Sequence, residues 1–241
     1  MTDMNKTQTA SGGASAAVGR VIAIDGPSGA GKSTIARGIG KRLGFLHVDS
    51  GALYRIMTLA ALRAGIDCND AAAVAAFCEK VDVTFAVKDG AVAALVGGKE
   101  PGDAIRTPEI NANVSPVSKV PEVRAKVTAW LRGMRDLGDI VVEGRDIGSV
   151  VFPDTPARFY LDASPEARAH RRHLEEVAKG MAVQDEAAVR ASLLNRDKID
   201  STRKTAPLKV AEGATVIDST NLGIDEVLAI VEAETRKALG L

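Results

Sequence analysis

One stretch, Val21-Ile-Ala-Ile-Asp-Gly-Pro-Ser-Gly-Ala-Gly-Lys-Ser-Thr34, constrains the fold of this chain more than any other. An apolar run stops abruptly at glycines and a lysine, which reads as a buried strand, a tight loop and the first turn of a helix. Gly26 to Ser33 follow the phosphate-loop spacing of Gly, four residues, Gly-Lys and Ser or Thr. The glycines let successive backbone N–H groups turn inward around a phosphate, and the helix behind them adds the positive end of its dipole. Gly26, Pro27, Ser28, Gly29, Ala30, Gly31, Lys32, Ser33 and Thr34 are therefore the candidate cradle for a nucleoside triphosphate. Lys32 would reach the outer phosphates and the Ser33 hydroxyl would ligate Mg²⁺. A turn that merely joins strand to helix is the competing reading, and the strand-loop-helix context argues against it. The motif leaves open how the nucleotide is used, because kinases, GTPases, motors and transporters share it.

Composition narrows the setting. The 31 basic and 31 acidic residues balance, so no global field draws the chain to nucleic acid or to an anionic membrane, and an anion site must be built from a local arginine cluster. An apolar fraction of 46% with 26% charged residues is that of an ordinary soluble globular protein. Cys68 and Cys78 are too few and too far apart for a disulfide framework or a zinc site, which predicts a reducing, cytoplasmic setting. His170 and His173 share a helical face, but beside arginines they read as a solvated surface rather than metal ligands. No apolar stretch reaches the roughly 18 residues of a membrane span. Residues 1–19, rich in Ala, Ser, Gly and Thr, read as a disordered tail without a signal-peptide core.

Beyond the loop, Ile35, Ile39 and Leu43 space one face of a helix closed by Gly44, and Phe45 to Val48 form a second strand. Asp49-Ser50-Gly51 then opens a helix carrying Leu53, Met57, Leu59 and Leu62. This βαβα order predicts a parallel sheet covered by helices, with ligands at the carboxyl ends of its strands. Alternation at Val81, Val83, Phe85 and Val87, a Lys88-Asp89-Gly90 turn and the run from Ala91 to Val96 predict an antiparallel hairpin. Residues 80–105 are thus expected to be an insertion outside the parallel sheet, either closing over a substrate or lying passively on the surface. Residues 108–137 read as helical with a break between Pro116 and Pro121, and strands follow at 139–142, 158–161 and 215–218. Ser164 caps a helix bearing Arg168, Arg171 and Arg172, a turn at Lys179-Gly180 follows, and a second helix runs from about Gln184 to Arg203. Two arginine-bearing helices on one turn read as a lid over a triphosphate. A last helix occupies 223–239.

Phosphoryl transfer requires spreading charge to be neutralised and water excluded, and arginine forks suit both the chemistry and the geometry. An acceptor that is itself a phosphate needs its own arginines, and Arg55, Arg145 and Arg203 stand at or after strand ends. No histidine stands in these segments, in keeping with an acceptor that needs no strong general base.

Gly26 to Ser33, Asp49-Ser-Gly-Ala-Leu-Tyr-Arg55, Glu143-Gly-Arg-Asp146, Val151-Phe-Pro-Asp154 and Arg203-Lys-Thr-Ala-Pro-Leu208 together resemble the bacterial cytidylate kinases over nearly everything from Val21 to Leu239. The resemblance implies a P-loop nucleoside monophosphate kinase-like α/β fold: a five-stranded parallel sheet with helices on both faces, the small insertion at 80–105 and a helical lid at 164–203. It implies transfer of the γ-phosphate of ATP, with Mg²⁺, to CMP or dCMP in a single domain spanning 20–241, most simply a monomer. Ser115, Arg124 and Asp146 match the residues that read cytosine in that family. Arg55, Arg145 and Arg203, with Ser50 nearby, match the holders of the acceptor phosphate, and Arg196 and Asp200 match contacts to the sugar. Lys32, Arg145, Arg171 and Arg203 are the candidate catalytic cations. Glu143 has no assigned partner; it lies near the magnesium or pairs with Arg145. A kinase for another nucleoside monophosphate or for a small alcohol such as shikimate is the nearest rival, and a switch GTPase lacks its Asn-Lys-x-Asp guanine motif here.

Overall fold

The computed structural model describes residues 18–178 and 185–241. The expected turn at Lys179-Gly180 and the start of the second lid helix at Gln184 lie outside the described residues, as do positions 1–17 of the expected tail. Gly19 is built into the fold, donating its amide to the Arg135 carbonyl at 3.1 Å and accepting from Arg135 Nε at 2.8 Å.

Five strands form the predicted parallel sheet: β1 (Val21–Asp25), β2 (Leu46–Asp49), β5 (Ile140–Gly144), β6 (Ala157–Asp162) and β7 (Thr215–Asp218), in the order β2-β5-β1-β6-β7. The hairpin of β3 (Thr84–Lys88) and β4 (Ala91–Leu95) does not stand apart as expected. It extends the sheet to seven strands, β4 lying parallel to β2 through His47 and Ala91 and β3 closing the edge antiparallel to β4. The reversal at Asp89 and Gly90, with φ of 49° and 74°, is the left-handed pair that a two-residue hairpin turn needs. Val81 and Val83 are buried ahead of the strand and anchor it against the helices.

The alternation of β1 explains why every one of its residues is buried. Val21 and Ala23 face one layer, built from α2 (Ser50–Arg63), α3 (Ala71–Cys78), α4 (Pro108–Lys119) and α5 (Pro121–Gly133). Ile22 and Ile24 face the other, built from α1 (Lys32–Leu43) and α8 (Ile224–Leu239). A sheet covered on both faces needs near-continuous apolar strands, and Ile140-Val-Val142 supplies the same pattern in β5. The expected break between Pro116 and Pro121 falls at Val120: α4 runs through Pro116 and ends at Lys119. Pro121, at the first position of α5, lacks just the amide that a helix start leaves unused. The arginine-bearing pair α6 (Pro165–Ala178) and α7 (Glu186–Thr202) packs through a small cluster of Ala169, Val189 and Leu193.

Candidate active site

The carboxyl ends of β1, β2 and β5 open into one cleft of about 1150 Å³, walled by the loop after β1, by α2 and α4, and by α6 and α7. At its donor end the loop is shaped by sterics. Gly26 sits at φ 146°, and a Cβ there would overlap the Leu161 carbonyl. Gly31, at φ 89°, starts α1 without offering a side-chain cap, so the first amides of the helix stay available to an anion. Ser28 to Thr34 line the cleft, whereas Gly26 and Pro27 lie behind it and act by shape. Lys32 is buried and donates from Nζ to the Pro27 carbonyl at 2.7 Å. Burial, reinforced by Arg145 and Arg196, pushes its ammonium down to about 7.

Two carboxylates brace this loop from beneath. Asp25 accepts the amides of Ile147 and Gly148 at 2.8 and 2.7 Å, tying the loop to the segment after β5. Burial pushes its carboxyl up to about 6 despite those two hydrogen bonds. Glu143, whose partner the sequence left open, does not pair with Arg145. Its Oε2 accepts the Ser33 hydroxyl at 2.7 Å, its Oε1 stands 2.9 Å from His47 Nε2, and its carbonyl accepts the Ser50 hydroxyl at 2.6 Å. A histidine therefore does lie beside the site, contrary to the sequence reading, because β2 and β5 are neighbours and bring His47 next to Glu143. The set around Ser33 suits a hard cation: a hydroxyl whose proton goes to a carboxylate keeps its lone pairs free. Among the described residues no cluster of three or more His, Cys, Asp and Glu could hold a metal unaided. Mg²⁺ asks for no such cluster, being held by one or two protein oxygens plus phosphates and water.

Opposite the loop, arginines converge on Asp200 of α7. Arg145 donates from Nε to Asp200 Oδ2 at 3.1 Å, Arg203 Nη1 lies 3.7 Å from Oδ1, and Arg196 Nε lies 3.9 Å from Oδ2. Arg196 Nε and Arg203 Nη2 are buried donors without a hydrogen-bond partner. Guanidinium groups held in this way are ready for further oxygens. Arg55 reaches the Ile105 carbonyl and Asn111 Oδ1 at 3.1 and 2.7 Å. Burial, with Arg196 and Arg106 nearby, pushes it down to about 9, still charged at neutral pH.

At the far end the buried pair Arg124 and Asp146 are in direct hydrogen-bonded contact. Arg203 Nη2 stands 3.6 Å from the other Asp146 oxygen, and the Arg124 guanidinium lies over the Tyr54 ring at 5.2 Å. Ser115 lines the cleft from α4; its carbonyl accepts the Ser118 hydroxyl, and the Ser118 carbonyl accepts Arg124 Nη1. All of the candidate side chains except Pro27 therefore border one cleft, and within it Arg124, Asp146 and Arg203 form one group and Arg145, Arg196, Asp200 and Arg203 another. Arg171 borders the cleft but stands apart from both, donating to the Ser219 hydroxyl and carbonyl at 3.0 and 2.5 Å. Arg168 lies under the loop, where it holds the Ser28 carbonyl and pairs with Asp197, which in turn accepts the Ser28 amide at 3.1 Å. Of the 80–105 insertion only Asp103 reaches the cleft, while Arg106, just beyond it, pairs with Asp49 at 3.2 Å. Arg106 and Asp197 carried no signal in the sequence, since each is defined by a partner far away along the chain.

The chain is 44% identical over 221 residues to a cytidylate kinase of Geobacter sp. (strain M21), covering 92% of this chain and 94% of that protein. It is 46% identical over 210 residues to a cytidylate kinase of Mycobacterium leprae (strain Br4923), covering 87% and 92%. A 43% match to a bifunctional pantoate ligase/cytidylate kinase of Synechococcus sp. (strain WH7803) takes in 88% of this chain and 44% of that longer protein. With the family model for cytidylate kinase matching residues 22–237, from the first buried strand through the last helix, the chain belongs to the cytidylate kinase family.

Proposed function

We propose that this protein transfers the γ-phosphoryl group of ATP, carried with Mg²⁺, directly to the phosphate of CMP or dCMP, giving the diphosphate and ADP. The observation that carries the reading is a single cleft with two phosphate-holding devices facing it: the glycine loop with Lys32, and the arginines gathered on Asp200. Positioning two anions against each other while their charge is neutralised is most of what phosphoryl transfer asks of a protein. Ser28 to Thr34 and Lys32 would hold the triphosphate, shaped by Gly26 and Pro27, and Ser33 would ligate the Mg²⁺, which neutralises the β- and γ-phosphate oxygens when bound. Ser50, Arg55, Arg145 and Arg203 would hold the acceptor phosphate, Arg196 and Asp200 its sugar, and Ser115, Arg124 and Asp146 its base. Arg171 would join the transferring phosphate only after leaving Ser219, which makes α6 and α7, within 164–203, the element that closes. Segment 80–105 would serve as the substrate-side element, acting through Asp103 rather than through its strands. We read the protein as a cytoplasmic monomer. Both cysteines are free and buried, and among the described residues no helix is long and apolar enough to cross a membrane.

Initial rates with ATP and Mg²⁺ on a panel of CMP, dCMP, UMP, AMP and dTMP test the assignment. CMP and dCMP should give the highest kcat/KM, and a preference for AMP or dTMP would overturn it.

A further inference from the structure

His47 is absent from every role given above, although it is buried behind the cleft beside Glu143. It lies in β2 opposite Val141 of β5, two residues before the pair Asp49 and Glu143, and its Nε2 is 2.9 Å from Glu143 Oε1. Glu143 is itself buried and accepts the Ser33 hydroxyl on its other oxygen. An ionised carboxylate is an acceptor only, so the ring must present Nε2–H to it. His47, Glu143 and Ser33 thus form a continuous relay from the sheet to the first turn of α1.

We propose that His47 is a positioning residue for the Mg²⁺-nucleotide: by fixing Glu143 it directs the Ser33 proton inward and leaves the Ser33 oxygen free for the cation. Glu143 has a second attraction, since Lys32 lies close enough for the two charges to stabilise one another. A carboxylate released from His47 would turn toward that ammonium and away from Ser33, and the directed Ser33 oxygen would be lost to the cation. Partners behind a metal ligand orient it in this way, and their removal costs 10–100-fold in metal affinity as an order of magnitude. His47 acts through Glu143 and touches no reacting atom.

The inference rests on the cleft being a Mg²⁺-nucleotide site, and its test needs no acceptor. ADP affinity is measured by titration calorimetry with Mg²⁺ and again with EDTA, for the wild type, His47→Leu, His47→Gln and His47→Asn. In His47→Leu the gain in ADP affinity conferred by Mg²⁺ should shrink about tenfold, while affinity in EDTA stays put. His47→Gln, whose amide N–H reaches as far as the imidazole Nε2, should restore most of the gain, and the shorter His47→Asn should not. A wild-type Mg²⁺ effect in His47→Leu overturns the inference, and so do Gln and Asn variants that behave alike, which decides the matter even if the Leu variant fails to fold. Nucleotide binding without transfer to any cytidine nucleotide would instead strike the acceptor assignment and leave this measurement intact.

Discussion

Arg145 and Asp200 join the core of the sheet to the lid: the arginine, just past β5, donates from Nε to the aspartate near the end of α7 at 3.1 Å. Asp200 is 4% exposed and is also the nearest carboxylate to Arg196, so one buried negative charge compensates several cations. Removing one partner of such a cluster leaves uncompensated buried charge, at a cost of about 3–5 kcal/mol.

Asp200→Asn should therefore lower the melting temperature by several degrees and reduce kcat about 100-fold through misplaced arginines. Inorganic phosphate should close most of the gap in melting temperature, since the anion replaces the missing charge. Thermal melts with and without phosphate, beside steady-state rates, check this. A variant with wild-type turnover, or one that phosphate fails to rescue, would show that Asp200 does not organise the arginines.

The Arg124 and Asp146 pair supplies a second outcome. Both side chains are almost fully buried, and the aspartate is shared with Arg203, so its orientation is fixed. A site built to hydrogen-bond a substrate rejects analogues that leave its buried polar groups unpaired, often by several powers of ten. Asp146→Asn keeps the volume and inverts the polarity of one edge. The ratio of kcat/KM for CMP over AMP should fall by at least about tenfold in this variant. An unchanged ratio would remove Asp146 from base recognition.

Lys32 gives a proton-linked signature. Its ammonium is pushed down to about 7 by burial and by Arg145 and Arg196. A bound polyphosphate restores the charged form, so binding must take up a proton wherever the free amine is neutral. At pH 8 uptake should approach about one proton per nucleotide, and at pH 6 it should vanish for this group. Titration calorimetry in buffers of different ionisation enthalpy reads the number directly. Lys32→Met should abolish the pH 8 uptake, and uptake that survives the substitution would have to come from another group.

How much of this was legible in the sequence depends on range along the chain. The loop and its flanking strand and helix are local, and Gly26 to Ser33 announce them by spacing alone. The five parallel strands followed from apolar runs separated by helical periods. Attachment of the hairpin did not, because it rests on the pairing of His47 with Ala91, which no local pattern encodes. Arg55, Arg145 and Arg203 were visible as charges at strand ends, but the convergence of Arg145 and Arg203 on Asp200 depends on how α7 lies over the cleft. His47 was passed over because one histidine in an apolar strand reads as core, and its partner Glu143 stands 96 residues further on. Asp25 was read only as the end of a strand, and the two amides it accepts come from the segment after β5, 122 and 123 residues further on.

That buried aspartate carries the last expectation. Its carboxyl is pushed up to about 6 by burial, from an ordinary value of 3.8. The folded protein therefore binds a proton more tightly there than the unfolded chain does, and stability falls as pH rises from about 4 to 6. Above pH 6 both states are ionised and the full penalty is in place, on the order of 3 kcal/mol at about 1.36 kcal/mol per unit. Asp25→Asn removes the ionisation and leaves one of the Ile147 and Gly148 amides without an acceptor, a cost of about 1–3 kcal/mol that does not depend on pH. Urea midpoints of the two proteins between pH 4 and 7.5 separate the contributions: relative to the variant, the wild type should gain stability steadily as the pH is lowered through 6. A difference constant across that range would mean that Asp25 titrates normally and that the bracing of the loop costs no burial of charge.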